Sequence, residues 1–467
     1  MSLLGWIGLF LTVGNLTAGV VDGPPNAVES KPVSAKPADT IADRYKPIVA
    51  EYEAVRKTAS VESGKAKTQA ENYKTYIKLM PDEAAFSRRL VDLAMTDPKD
   101  PAARDALLWV LDKHATRPTG PYADECTRAV LLLLRHHGDD PEVARVGIMG
   151  DNICSTARDL FFEGINARAK GHETKGMAKI ALAKYLVTKA KYTAAIRKIE
   201  GPVQTKEQYP QYDENDKLVT KEVDVPAEDL AYHMHLRTSD PAAMEAEAKR
   251  LFEEVSKDYG DVLYVTRQHR EHEALLRDPS PKLNGEPLTP EVRKQLERRL
   301  AHKQTLADVG KERLAEMETL VVGNPAPPIG GVGMDGKPLK LSDFRGKVVV
   351  LVFWGTWCGP CMMEVPHERE MANRYQGKPF AMLGVDCDGN KVAALKVMKD
   401  QGITWPNWND DDPGEGPIAK AYFVRQYPTI FVLDTQGVIR YINAQGEELD
   451  KAVDQLLKEE EAKEAAR

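Results

Sequence analysis

Two kinds of apolar spacing divide this chain. From about Ala42 to Met317 the apolar positions recur at helical intervals, whereas beyond Leu320 they gather into short continuous runs separated by turns. In the first region Leu107, Leu108, Val110 and Leu111 form one stripe, and Ala129, Val130, Leu132 and Leu133 a second. Met244, Ala248, Leu251, Phe252 and Val255 form a third, which Gly260 stops. Three helices are expected to open on an Asp-Pro pair: Asp100-Pro101, Asp140-Pro141 and Asp240-Pro241. Aspartate caps the first free N–H groups, and proline suits the first helical position, where no N–H is needed. Helices also fit Ile148–Lys170 and Lys175–Ile199. The short hairpins have the flavour of tetratricopeptides, but no period of about 34 residues appears, so no repeat array is expected. A polar insertion at 201–229 interrupts the pattern, and within it Lys217–Val225 alternates as a small hairpin would.

After Val322-Gly323-Asn324-Pro325-Ala326-Pro327-Pro328, which cannot be helical, strands and helices alternate. Lys347–Phe353 reads as a buried strand, Phe380–Val385 as a second, and Lys391–Gln401 as a helix. Thr429–Leu433 and Val438–Asn443 form a hairpin about Asp434-Thr435-Gln436-Gly437, with a helix from Glu447 and a solvated, fraying tail over Lys458–Arg467. Gly331 to Pro338 approaches a phosphate-loop pattern but puts proline where Ser or Thr is needed, so it reads as a hairpin turn at Asp335-Gly336. The expected fold class is multidomain: an all-α helical-hairpin domain followed by an α/β domain with a central sheet flanked by helices.

A length of 467 residues suits two or three domains. The net charge of −7 is mild, with lysines interleaved among glutamates, which argues against nucleic acid as a partner and leaves no polybasic membrane patch. Leu3 to Val13 is apolar and Thr17-Ala18-Gly19 offers small residues for cleavage, although no basic residue precedes Lys31. Residues 1–21 are therefore expected to be a signal peptide or N-terminal anchor, a possible membrane tether, and 22–41 a flexible linker rich in Pro, Ser and Ala. Five cysteines are too few for a disulfide scaffold. Cys126 and Cys154 are left as either a bridge or buried free thiols, and Cys387 reads as an inert residue at a strand end.

The chemistry concentrates in Trp357-Cys358-Gly359-Pro360-Cys361, between the Lys347–Phe353 strand and a segment from Met362 that can start a helix. That layout puts a thiol at a helix N-terminus, where the macrodipole and free N–H groups favour the thiolate. A free cysteine of pKa ~8.5 is only about 3 % ionised at pH 7, so such a shift makes it a working redox nucleophile. Half of a zinc site is the competing reading; it needs a second Cys/His pair, and none lies nearby. His233 and His235, and His269 with His272 and Glu273, lack further ligands at matching spacing. No metal or organic cofactor is expected.

Residues ~320–467 resemble a thioredoxin-fold domain of the TlpA/ResA type, the exported bacterial thiol–disulfide oxidoreductases. The resemblance is carried by Gly346-Lys347, by Phe353 to Cys361, by Glu364 and Pro366, by Tyr427-Pro428-Thr429-Ile430 and by Gly446. It covers about a third of the chain; the helical part resembles no named family. It divides the chain into an all-α domain at 42–317 and a thioredoxin-like domain at 318–467. It implies that Cys358 is the exposed attacking thiolate and Cys361 the buried resolving thiol. Pro428 would be cis, with Trp357, Gly359, Pro360, Tyr427 and Gly446 around the substrate rim, and Pro366 would kink the helix. Val352 stands where thioredoxin has a buried aspartate, and Phe380–Val385 carries no lysine, so Glu364 becomes the expected proton handler for Cys361.

The Gly-Pro between the cysteines points by analogy to a reductase. The implied function is an exported thiol–disulfide oxidoreductase acting on protein disulfide substrates, recharged by a thiol electron donor, with the helical domain binding a protein partner. Two alternatives are a helical scaffold protein with a redox-sensing domain, and a thiol peroxidase. The peroxidase reading is weakened because Leu351 and Val352 occupy the stretch where an upstream proline is required.

Overall fold

The computed structural model describes residues 40–465 except 114–122, 148–153, 200, 202–205, 214–216, 226, 284–285, 302 and 411–415. The expected signal peptide or anchor, and all but the last two residues of the expected linker, lie outside the described residues. Ile41 already belongs to a helix, Ile41–Ser63, so the linker boundary moves back by one residue. Among the described residues no helix is long and apolar enough to cross a membrane.

From Ile41 to Thr319 the structure is mainly helical around one large apolar core, with a small separate cluster of Ile196, Tyr232 and Leu236. The three Asp-Pro helices form as the sequence predicts, at Pro101–Lys113, Pro141–Gly147 and Pro241–Asp258. Each aspartate side chain accepts from the N–H two residues on: Ala102 at 2.7 Å, Glu142 at 2.8 Å and Ala242 at 3.0 Å. The long helix His172–Lys198 packs against Pro241–Asp258, whose Ala248, Leu251, Phe252 and Val255 are buried.

Three expectations need correction. The helix read at Ile148–Lys170 is Thr156–Arg168, because the Ser155 hydroxyl accepts from Arg158 N and starts it there; 148–153 lie outside the described residues. The next helix starts at His172, not Lys175. The polar insertion holds a longer hairpin than Lys217–Val225: Lys206–Tyr212 pairs antiparallel with Leu218–Asp224. Its first strand, Lys-Glu-Gln-Tyr-Pro-Gln-Tyr, has no apolar alternation to betray it. A second small hairpin, Lys282–Leu283 with Glu286–Pro287, also went unread.

The C-terminal region is labelled separately. β1 (Gly330–Val332) and β2 (Pro338–Lys340) form the hairpin read at Asp335-Gly336, with Gly336 at φ +81. Then follow β3 (Val348–Trp354), α1 (Gly359–Arg374), β4 (Phe380–Asp386), α2 (Lys391–Gln401) and β5 (Asn407–Asn409). Next come α3 (Pro417–Ala421), β6 (Thr429–Leu433), β7 (Ile439–Ile442) and α4 (Gly446–Ala465). The tail read as fraying is thus helical to Ala465. The sheet order is β7-β6-β3-β4-β5, with β3, β4 and β5 parallel and β6 antiparallel to both of its neighbours, β3 and β7.

Every residue of β3 is buried, and its two faces build separate cores. Val348, Val350, Val352 and Trp354 join the core that holds Cys358 and Cys361, whereas Val349, Leu351 and Phe353 face the other side. This is period-two alternation in a strand covered on both faces, which explains why it reads as one unbroken apolar run. The central position of β3 carries its C-terminal end, and the cysteines after it, to the edge of the sheet where parallel strands present their loops.

Candidate active site

Cys358 caps α1. Its sulfur accepts from the Cys361 N–H at 3.1 Å, and Pro360 occupies the first turn, where no N–H is missed. The two cysteines are joined as a disulfide with their Cα atoms 5.3 Å apart. The expectation of an exposed Cys358 is corrected for this state: Cys358 is 4 % exposed and Cys361 3 %, because Sγ of Cys358 is turned toward its partner and the helix end. Gly359 and Pro360 are exposed on the first turn, and Trp357 is 52 % exposed beside them.

The rest of the expected rim assembles around this turn. The Trp357 and Tyr427 rings meet edge to face at 5.0 Å, and the Tyr427–Pro428 peptide is cis. Trp357 also lies against Gly355, where an added Cβ would fall 2.8 Å from the indole. Gly446 opens α4 at φ +52, two residues after Ala444, which shares the buried cluster of the dithiol.

Glu364 is half-buried at the edge of α1. Its Oε2 lies 3.5 Å from His367 Nδ1, close enough for attraction but not aligned for a hydrogen bond, and His367 Nε2 approaches Asp450 at 3.2 Å. The inward face of α1 is instead Cys361, Val365, Glu368 and Met371. Glu368, 5 % exposed, was missed by sequence reasoning. Burial, then the nearby Glu364 charge, pushes its carboxyl up to about 8. The signal was present: Glu368 follows Cys361 by seven residues, two turns along one helix face.

A second missed feature underlies the loop before Cys358. Asp388 accepts from the Thr356 N–H at 2.8 Å and from its hydroxyl at 3.0 Å. Asp386, at the end of β4, is fully buried, accepts from Asn409 Nδ2 at 2.9 Å, and stands beside Asp388. Burial, and then the neighbouring Asp388 carboxyl, push Asp386 well above the usual carboxylate range. Cys387 between them is a buried free thiol, raised to about 12 chiefly by burial, which fits an inert strand-end residue. Cys126 and Cys154 are free as well.

The helical region reaches this site. Arg425, three residues before Pro428, pairs with Glu312 and Glu316 on the helix Leu306–Thr319, each at 2.5 Å. Asn324 Nδ2 donates to the Glu318 carbonyl at 2.7 Å where that helix ends. Chemically, the arrangement is a reversible dithiol at a helix N-terminus, with apolar aromatic neighbours and buried carboxyls behind it.

Residues 322–442 match the AhpC/TSA family. The thiol-disulfide oxidoreductase ResA of Bacillus thuringiensis subsp. konkukian is 34% identical over 142 residues, covering 30% of this chain and 79% of that protein. ResA of Bacillus subtilis is 32% identical over 130 residues, 28% of this chain and 68% of that protein. A solved structure described as a putative thiol:disulfide interchange protein DsbE, from Chlorobium tepidum, is 30% identical, with 30% of this chain and 99% of that chain covered and a TM-score of 0.28.

Proposed function

From the premise that this chain belongs, through its C-terminal domain, to the ResA thiol–disulfide oxidoreductases, we propose that it is an exported reductase of protein disulfides. The observation that carries the reading is the Cys358–Cys361 disulfide at the N-terminus of α1, with the Trp357–Tyr427 pair and cis Pro428 beside it.

In the reduced enzyme the Cys358 thiolate attacks one sulfur of a client disulfide, and the other client sulfur leaves as a thiolate. Cys361 then gives up its proton and attacks Cys358 in the mixed disulfide, releasing the second client thiolate and closing the disulfide. Glu364 takes the Cys361 proton, and its half-buried place at the edge of α1 supports that role. An extended client segment lies along the backbone beside Pro428, on the rim formed by Trp357, Gly359, Pro360, Tyr427 and Gly446. A small-molecule or protein dithiol restores the reduced state. The helical region, at 42–317, recruits the client or a partner. Its ion pairs to Arg425 support this, because they set that region against the loop that leads to Pro428. The apolar Leu3–Val13 stretch supports export, with the N-terminus as signal or tether.

Reduction of insulin by dithiothreitol tests the proposal. The full chain should accelerate it and the Cys358→Ser variant should not; equal rates for both would sink the reading. The Cys361→Ser variant should accumulate mixed disulfides, whose partners identify the client. Peroxide consumption that survives Cys361→Ser would point to the thiol peroxidase instead.

A further inference from the structure

The Asp386–Asp388 pair has no part in the disulfide exchange described above, yet it holds the loop that leads into the dithiol. Asp388, 4 % exposed, holds the Thr356 N–H and hydroxyl two residues before Cys358. The Asp386 carboxyl receives the Asp388 N–H at 3.3 Å, and the intervening Cys387 N–H donates to the Trp354 carbonyl at 2.9 Å, at the end of β3. On the other side Tyr427, one residue before Pro428, packs against the buried cluster that contains Cys387. Two carboxyls this close and this buried cannot both ionise without repulsion that water does not screen.

We infer that Asp386 and Asp388 hold one proton between them and act as positioning residues that couple the charge of the dithiol to pH. The inference rests on the dithiol chemistry proposed above. Among the described residues the titratable groups beside the pair are Cys387 between the two and, beyond β5, Asp410, whose N–H donates to the Asp386 carbonyl at 2.7 Å; Tyr427 packs against the same buried cluster as Cys387. The Asp410 carboxylate is itself taken up by the Ile418 and Ala419 N–H groups, at 2.9 and 2.6 Å, so it is tied to α3.

The coupling balances as follows. A dithiol donor gives two electrons and releases two protons as it closes to its own disulfide. The Cys358–Cys361 bond breaks, Cys361 takes one proton, and Cys358 remains a thiolate. That new negative charge raises the proton affinity of the aspartate pair, which takes up the second proton over the pH range where the oxidised protein holds the pair doubly ionised. Outside that range the proton goes to water. Reoxidation reverses each step.

The test is the redox equilibrium of the full chain with dithiothreitol mixtures, from pH 6 to 10, for wild type, Asp386→Asn and Asp388→Asn. Either asparagine removes the shared proton, so the second variant keeps the test alive if the first fails to fold. The wild-type equilibrium constant should diverge from a variant's pH trend by about three- to tenfold, as when a new charge moves a buried carboxyl by half to one unit. The infrared difference spectrum of the oxidised wild type minus oxidised Asp386→Asn, in which the Glu368 carboxyl cancels, should show a protonated-carboxyl band at neutral pH that fades toward pH 10. Parallel trends for all three proteins, or no such difference band, would overturn the inference. A chain that equilibrates normally with dithiothreitol yet leaves insulin untouched loses the client reading and keeps the coupled proton.

Discussion

Glu368 follows Glu364 by one helical turn, and the two carboxyls meet opposite surroundings: Glu364 sits at the edge of α1 and Glu368 on its buried face. The Glu364 charge adds to burial in holding the proton on Glu368 up to about 8, against 4.5 for an ordinary glutamate. The folded chain therefore keeps a proton that the unfolded chain releases. Stability from this group is fully present below about pH 4.5 and is lost as pH rises to about 8.

Replacing Glu368 with leucine removes that loss. Urea unfolding should show the variant gaining on wild type as pH rises between about 5 and 8, by several kcal/mol in total. Wild type and variant differing by the same amount at every pH would show that Glu368 ionises normally in the fold.

Gly384 in β4 makes room for a buried hydrogen-bonded side chain. A Cβ there would fall 1.7 Å from Asn407 Oδ1, which accepts from Trp354 Nε1 at 2.8 Å, while Asn407 Nδ2 donates to the Trp405 carbonyl at 2.9 Å. Gly384→Ala must displace Asn407 and leave buried polar groups unpaired. The expected cost is about 2–3 kcal/mol in urea unfolding, well beyond what an alanine does on an open strand.

These sites show which links were legible in the sequence. The Asp-Pro helix starts were, because a cap and its proline are neighbours in the chain. So was β3, since a strand covered on both faces is apolar at every position. The dithiol announced itself by spacing. The buried acids did not. Glu364 and Glu368 look alike until the inward face of α1 is known, and Asp386 depends on Asn409, 23 residues away. The ion pair from Arg425 to Glu312 spans 113 residues, so no local pattern encodes it.

The three free cysteines should be silent in the native protein. Burial raises Cys126 to about 11 and Cys154 and Cys387 to about 12, so at pH 8 a fraction on the order of one in a thousand or less is thiolate. Iodoacetamide should leave the oxidised native chain unlabelled, mark Cys358 first after mild reduction, and mark all three only in denaturant. Mass spectrometry reads this directly, and early label on Cys387 would contradict its inert role.

Arg425 offers a way to separate the helical region from the chemistry. Its two ion pairs are partly exposed, so Arg425→Ala should change the unfolding free energy by only about 1 kcal/mol or less. Its local effect should be larger. The guanidinium also donates to the Phe423 carbonyl at 3.3 Å, and Phe423 holds a left-handed backbone at φ +46, which a phenylalanine adopts only when its surroundings impose it. Without Arg425, amide exchange over Phe423–Gln426 should quicken while that of β3 stays unchanged. Insulin reduction should then fall while the dithiothreitol equilibrium is preserved if, as proposed, the loop beside Pro428 serves the client and not the dithiol itself. Unchanged exchange in that loop would show that the helical region and the redox domain are joined without Arg425, and that the ion pairs only decorate the seam.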